Sequence, residues 1–564
     1  MPSEQRTWME EVADEVIAHV TGRGKPADQP IVCASGISPS GPVHLGNLRE
    51  VMVAHAVAEE LAARGRAVRH LHFWDDYDRF RRVPAALPES LEEFIGRPLS
   101  EVPDPFDCHA SYAAHFVAEF DGALEAMRIR PEQISQSAAY RAGEYRVEVD
   151  RALEASGLIA EVLGRYQTRQ PVELDTADSS PTDAVRVWPV RVYCHRCGRD
   201  FTDVEGEGPG SLTYHCQACG HDGTVGGDAP AKLVWKVDWP MRWSHYGVDF
   251  EPGGVDHSSP GSSYEVGREL VDRVFGATAP LYVGYSFVGI EGRSKMSGSH
   301  GEVPTPATAL RVLEPGILRW QYLRRRPRNS FTIAFGSEVL RLYDEWDGLG
   351  ERVASGRAGA AEAHYRARSV ATTAGAVPAP VLPLPFRVLA AAADVTQGHR
   401  DQLLRVVREH TGLDLSAAEL DREAEPRLSC AIEFALAFQP EDERTRVRDE
   451  PATASEVALD PELRRGVCLL VDGLEAHWSV EGLTRLVYGV PKLMAGQDLD
   501  AAPDEAMKRR QREFFAVLYR LLTHSDTGPR LPTLLLSLGR DRVARLLGPW
   551  AAAGDASPSP AGSR

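Results

Sequence analysis

The chain has 564 residues, 43% hydrophobic and 26% charged, with a net charge of −18; that is room for three or four domains of roughly 150 residues each in an ordinary globular protein. The acidic balance excludes a protein that coats nucleic acid indiscriminately, although a local basic surface suffices to bind RNA. No run of about 18 apolar residues reads as a membrane span, and the acidic, amphipathic start MPSEQRTWMEEVADEV is unlike a secretory signal, so a cytoplasmic location is expected.

Residues 30–35 read as a short buried strand, followed by the turn-rich GISPSGP. His44 to Arg64 reads as a helix, apolar almost all round from Val51 to Val57 and therefore expected to be buried. Residues 67–74 read as a second strand that ends in the acidic cluster Asp75, Asp76, Asp78. Strand, turn, helix, strand is a βαβ unit that opens a parallel sheet, so the expected fold is α/β of the Rossmann type. From about 95 to 230 the pattern becomes irregular and holds clusters of Cys and His, which reads as an insertion; the sheet resumes near Lys232. From about 340 to 550 the spacing is helical, as in LSCAIEFALAF, ELRRGVCLLVDGLEAHW and REFFAVLYRLL. The expected division is 1–94 and 231–300 as two halves of the Rossmann-type domain, 95–230 as the insertion, 301–350 as a connecting stem, 351–550 as an all-α region and 551–564 as a low-complexity tail.

The stretch SGISPSGPVHLGN sets Gly and Pro at a strand end and polar side chains at the first turn of a helix. A helix N-terminus offers N–H groups and partial positive charge to an anion. His44 and Asn47, three residues apart, share a face toward that anion, and Gly46 removes a side chain where an adenine or ribose can lie against the backbone. Such a loop holds ATP without a P-loop lysine, although alone it also describes the Gly/Pro turn before many helices. About 250 residues downstream, GIEGRSKMSGSHG follows the strand-like LYVGYSFV. Small residues flank Lys295 there, giving a loop that can carry its cation over a triphosphate.

Together the two stretches resemble the paired signatures of the class I aminoacyl-tRNA synthetases. Pro39-Ser40-Gly41-Pro42-Val43-His44-Leu45-Gly46-Asn47 is similar to the HIGH motif, and Lys295-Met296-Ser297-Gly298-Ser299 to the KMSKS motif. Gly298 stands at the second lysine position, and His300 follows where a lysine is common. The resemblance implies ATP contacts at Pro39, Gly41, His44, Gly46, Asn47, Lys295, Met296, Ser297 and Ser299, with Mg²⁺ carried in on the nucleotide. His44, Asn47 and Lys295 would be catalytic. The implied reaction needs no general base: a carboxylate attacks the α-phosphate of ATP, and catalysis is positioning plus stabilisation of developing charge.

Between the signatures lies VWKVDWPMRWSHYGVDFEPGGVDHSSPGSSYEVG. A pocket for a lysine side chain needs walls for its four-carbon stem and a carboxylate for its ammonium. Trp239 can supply the wall, Asp256 or Asp76 the counter-charge, and His257 and Tyr264 can fix an amino group; each aromatic is also compatible with plain core packing. With Trp74-Asp75-Asp76-Tyr77-Asp78, this segment resembles the lysine-specific class I enzymes. The likeness continues through PTPATALRVLEPGILRWQYLRRRPRNSF and LYDEWD, and more loosely through YGVPK and TGPRLP. It implies L-lysine and tRNA(Lys) as substrates, Gly36 and Ser38 among the lysine contacts, and an anticodon-binding role for the helical region.

Eight cysteines in so long a chain are no disulfide scaffold. Cys194-x2-Cys197-x18-Cys216-x2-Cys219 offers four thiolates that close a tetrahedral, structural Zn²⁺ site, with Gly198 and Gly220 suiting the two tight turns. Asp104-x3-Cys108-His109-x5-His115 is a second set of acceptable ligands, with Asp107 as the rival carboxylate. Its likeness to the lysine-specific enzymes implies a second zinc.

Two short basic runs, Arg324-Arg325-Arg326 and Lys508-Arg509-Arg510, most often mark solvated helix faces, but their placement suggests tRNA phosphate contacts. Neither DNA nor a membrane is an expected partner. Two other readings fit: a paralogue that makes an aminoacyl-adenylate for a small-molecule acceptor or for resistance, and a non-catalytic, zinc-bearing RNA-binding protein. A glutamate-specific pocket would present arginine to its substrate, whereas the candidates here are acidic.

Overall fold

A computed structural model describes residues 6–85, 87–167, 188–226, 231–255, 262–290, 303–382 and 384–552. By backbone proximity the chain divides into two compact units. One comprises Met1–Leu310, Pro315–Ala334 and Leu349–Pro378; the other Arg311–Glu314, Phe335–Gly348 and Ala379–Arg564.

In the first unit, α1 (Trp8–Gly22) starts at a capping box between Thr7 and Glu10 and buries the face Trp8, Met9, Val12, Ala13, Val16 and Val20. β1 (Ile31–Ile37), α2 (Leu45–Ala63) and β2 (Val68–Trp74) then form the expected βαβ unit. The two strands run in parallel, from Ile31 opposite Val68 to Ile37 opposite Trp74. Every residue of α2 from 51 to 61 is buried, which is what a helix without a polar face requires. Its polar members all find partners: Glu60 meets Arg64, His364 and Arg368, Glu59 accepts from Thr373, and His55 lies 3.1 Å from the guanidinium of Arg319.

After α3 (Tyr112–Ala126) comes β3 (Glu132–Ser135), then α4 (Gln136–Ala142), α5 (Arg146–Glu154) and α6 (Ser156–Gln167). β3 pairs with β2, so part of the stretch expected as an insertion is an edge of the main sheet. A four-residue strand among helices carries no alternation from which this could be read. β4 (Val190–Val192) and β8 (Ala231–Leu233) pair antiparallel around a ribbon of β5 (Thr202–Glu205), β6 (Thr213–Cys216) and β7 (Asp222–Thr224). The chain continues through α7 (Trp235–Tyr246), β9 (Phe250–Gly254), α8 (Ser263–Arg273) and β10 (Leu281–Tyr285). The main sheet has the order β10-β9-β1-β2-β3, parallel throughout. Strand order therefore reverses between β1 and β9, and the crevice at the carboxyl ends of these two strands is where such sheets bind ligands. Beyond it, β11 (Val288–Ile290) pairs in parallel with β12 (Phe331–Ile333).

The second unit is helical, as its periodicity predicts. Helices Pro461–Gly473, Val480–Met494, Glu505–Leu522, Leu531–Leu538 and Arg540–Ala552 close on a core that includes Leu470, Leu486, Phe514, Leu518, Leu535 and Leu546. Among the described residues no helix is long and apolar enough to cross a membrane. Elsewhere in this unit Arg427 reaches Glu314 at 2.6 Å and Asp347 at 2.8 Å, and donates to the Leu384 carbonyl. Glu314 is 2% exposed, so truncating Arg427 takes a cation away from beside a buried carboxylate. Arg427→Ala is expected to cost about 3–5 kcal/mol, read as a lower thermal transition of this unit, whereas an unchanged transition would show the ion pair to be dispensable.

Candidate functional site

The site begins where β1 ends. The chain turns through Ser38, Pro39, Ser40 and Gly41 and re-enters a helix at His44, the N-cap of α2. His44 and Asn47 close a capping box on each other: the Asn47 N–H donates to His44 Nδ1 at 3.3 Å, and the His44 N–H donates to Asn47 Oδ1 at 3.2 Å. Because Nδ1 accepts from a backbone amide, the ring proton belongs on Nε2. Burial pushes the imidazole down to about 4, so near neutral pH it is an uncharged Nε2–H donor beside the positive end of the helix. The Leu45 N–H is spent on the Pro304 carbonyl at 3.2 Å, so two of the first three amides of α2 already have partners. Lys295, Met296, Ser297 and Ser299, like Asp256 and His257, lie outside the described residues.

Next to this turn the structure brings together Trp239 and Tyr264, whose ring centroids lie 6.5 Å apart. Trp239 stacks on Trp235 at 5.3 Å and leans on Trp243 at 4.9 Å. Tyr264 stacks on Tyr282 at 4.3 Å and donates its hydroxyl to the Pro280 carbonyl at 2.9 Å. Gly36 lies at the end of β1, half-buried like Ser38; its Cα faces Phe73, and an added Cβ would meet that residue at 3.5 Å. Asp76 is bonded to the end of β3 and the start of α4. Its carboxylate accepts from the Ser135 hydroxyl at 2.6 Å and from the Ser137 N–H and hydroxyl at 2.8 Å.

Two carboxyls that sequence reading did not single out are bonded to aromatic side chains here. Glu251 on β9 receives the indole N–H groups of Trp239 and Trp243, and burial raises it to about 7. Glu50, on the second turn of α2, receives the Gly36 N–H at 2.7 Å and the Tyr285 hydroxyl at 2.8 Å, and burial raises it to about 8. A sequence signal did exist: Trp239 and Trp243 at i and i+4 share a helix face, and two indole donors call for an acceptor. Asp75, at the end of β2, lies 2.6 Å from Arg242, a guanidinium it shares with Asp238.

The four cysteines converge. Cys194 and Cys219 stand 3.7 Å apart, sulfur to sulfur, and Cys197 and Cys216 stand 3.6 Å apart. Four thiolates about 2.3 Å from one ion stand about 3.8 Å from each other, so the spacing fits tetrahedral zinc and is far from a disulfide. Each CxxC turn closes through a glycine in the left-handed region, Gly198 (φ 74°) and Gly220 (φ 65°), whose N–H returns to the first cysteine's carbonyl. In the second cluster Cys108 Sγ lies 3.1 Å from His109 Nδ1, 3.2 Å from His115 Nδ1 and 3.3 Å from Asp104 Oδ2. These distances suit mixed sulfur, nitrogen and oxygen ligation. Asp104, not Asp107, joins the group. Burial opposes its charge, but N–H bonds from Phe106, Cys108 and His109 outweigh this and hold the carboxyl at about 2.

The basic runs are partly engaged within the chain. Arg324 lies 3.9 Å over the Trp320 ring and Arg326 forms a two-pronged pair with Glu11. Lys508 meets Glu505 at 2.8 Å and Arg510 meets Glu462 at 3.3 Å. Arg325 and Arg509 are exposed.

Residues 6–374 match the family model of the tRNA synthetases class I (K). The chain is 48% identical to a lysine–tRNA ligase of Streptomyces coelicolor, over 97% of this chain and 99% of that protein. It is 36% identical to a lysine–tRNA ligase of Pyrococcus horikoshii, over 96% and 99% respectively. Among solved structures, a glutamate tRNA ligase from Elizabethkingia meningosepticum aligns with 93% of this chain and 99% of its own at 11% identity and a TM-score of 0.42, a likeness from which nothing is argued.

Proposed function

The chain belongs to the tRNA synthetases of class I (K), and from that premise we propose that it is a lysine–tRNA ligase acting in the cytoplasm. L-lysine and ATP give lysyl-adenylate and pyrophosphate; a hydroxyl of the terminal adenosine of tRNA(Lys) then attacks the acyl carbonyl and releases AMP. The observation that carries the reading is the capping box of His44 and Asn47 at the reversal of strand order, together with the aromatic group of Trp239 and Tyr264 and its acceptor Glu251.

The neutral Nε2–H of His44 and the N-terminus of α2 hold the triphosphate and favour charge developing on it. Pro39, Gly41 and Gly46 leave room for the nucleotide. Lys295, on its motif, adds the cation, and Mg²⁺ arrives with ATP to screen its phosphates. Trp239 and Tyr264 flank the stem of the substrate lysine, with carboxyls beyond them for its ammonium. The thiolates of Cys194, Cys197, Cys216 and Cys219 hold one structural zinc, and Asp104, Cys108, His109 and His115 a second. Arg325, Arg326, Lys508, Arg509 and Arg510, exposed members of the basic runs, meet tRNA phosphates.

Amino-acid-dependent ATP–pyrophosphate exchange, run with all twenty amino acids with and without tRNA, is expected to respond to lysine. Exchange with a different amino acid, or with none, refutes the proposal. His44→Ala is expected to lower the exchange rate about 10²–10³-fold. Because His44 titrates near pH 4, the wild-type rate should show no inflection between pH 6 and 9 that this substitution removes. Metal analysis of the purified protein should give about two zinc per chain, falling by one in Cys197→Ser and by one in Cys108→Ala; a single zinc untouched by Cys108→Ala eliminates the second site.

A further inference from the structure

The second ligand group sits on a loop that is tied to the turn between β1 and α2. The loop closes where the Val102 carbonyl receives the Tyr112 N–H at 2.8 Å, and within it Asp104 collects the N–H groups of Phe106, Cys108 and His109. Tyr112 is the first residue of α3, so Cys108 and His109 lie just before it and His115 follows one turn later. The Tyr112 ring is fully buried, edge-on to Phe80 at 5.1 Å and to Phe116 at 4.9 Å, and Phe116 in turn meets the His115 ring at 5.0 Å. Its hydroxyl reaches out of this packing and donates to the Ser40 carbonyl at 2.9 Å.

Ser40 is the middle of Pro39-Ser40-Gly41 and is exposed. Among the described residues no backbone hydrogen bond joins residues 38–43 to one another. A turn without internal bonds takes its shape from groups outside it that satisfy its carbonyls and amides, and the Tyr112 hydroxyl is such a group. Close packing holds the ring in one place, so the position of the Ser40 carbonyl follows the first turn of α3. Val43 also lines a cleft with Phe116 and Phe120 of α3. Before the loop, the Leu99 and Ser100 N–H groups donate to the carbonyls of Asp78 and Asp76, just past β2. The ligand group is therefore fastened to the chain beyond both β1 and β2, at the carboxyl edge of the sheet.

We infer that Tyr112 is a positioning residue for ATP: its hydroxyl fixes the Ser40 carbonyl, and metal at Asp104, Cys108, His109 and His115 sets the loop that carries it. The inference rests on the proposed reading of the turn as an ATP site and of the group as a metal site. Ordering residues 104–115 around one ion fixes the first turn of α3, and with it the turn that lies against the nucleotide. Without metal, residues 108 and 109 lose their cross-link to His115, and the bond to Ser40 weakens. Tyr112 acts through Ser40 and meets no reacting atom, so ATP affinity carries the effect and the turnover of the bound complex does not.

The test uses the full chain with Tyr112→Phe, with Cys108→Ala and with both, each checked for folding by thermal melts. Tyr112→Phe keeps the ring and removes the hydroxyl alone. It is expected to keep its zinc and to raise the KM for ATP in lysine-dependent exchange about 3–10-fold, the worth of one hydrogen bond. Its kcat and its KM for lysine should stay within about twofold of the wild type. Cys108→Ala, short of one zinc, should weaken ATP binding in calorimetric titration by a similar factor, and the combined variant no further than Tyr112→Phe alone. An unchanged KM for ATP in folded Tyr112→Phe overturns the inference, and so do effects that multiply in the combined variant. Should Tyr112→Phe not fold, Cys108→Ala decides: ATP affinity equal to that of the wild type overturns the coupling. Zinc undiminished in Cys108→Ala, or exchange that does not respond to lysine, overturns instead the reading beneath.

Discussion

The site depends on where α2 begins. A strand that ends at the reversal of sheet order must leave the sheet there, and the chain re-enters regular structure within a few residues at His44. One capping box then does two things. It satisfies amides that a helix terminus leaves open, and by occupying Nδ1 it directs the imidazole proton to Nε2. Two successive residues of the same helix point to different tasks. Arg49 donates to the carbonyls of Arg326, Pro327 and Asn329, in the turn before β12, and Glu50 reaches Gly36 and Tyr285 across the crevice. A shift of α2 along its axis would move the phosphate end, the carboxyl and this anchor together.

Holding that helix in place requires burying polar groups, and most are matched, although one guanidinium nitrogen of Arg49 has no partner. Glu60 lies against His364 and Arg368, His55 against Arg319, and the Tyr322 hydroxyl donates to the Leu45 carbonyl. Matched buried polar groups add little net stability, but a misplaced helix would leave several of them without partners. They therefore specify position more than they add stability.

The ribbon of β5, β6 and β7 follows another principle. The apolar cluster beneath it consists of Val192, Cys194, Tyr214 and Cys216, too little to hold three short strands by burial alone. On the proposed reading a metal supplies the cross-link, and half of that cluster is the ligand set itself. The second group is organised differently. Asp104 gathers three backbone N–H groups and so shapes the turn that presents Cys108 and His109.

Sequence alone determined whatever depends on neighbours along the chain. The βαβ unit, the span of α2, the helical second unit and the gathering of both Cys-containing clusters were legible because periodicity, capping and CxxC turns act within a few residues. The carboxyl beside the aromatic pocket was not. Asp76 lies in a conspicuous acidic run but is consumed by Ser135 and Ser137, on a strand edge that the pattern had placed outside the sheet. Glu251 and Glu50 look unremarkable in sequence and meet Trp239, Trp243, Gly36 and Tyr285 only in the folded chain. The ionisation of a carboxyl depends on what lies across space from it and on how much water is excluded, and only the tertiary structure decides either.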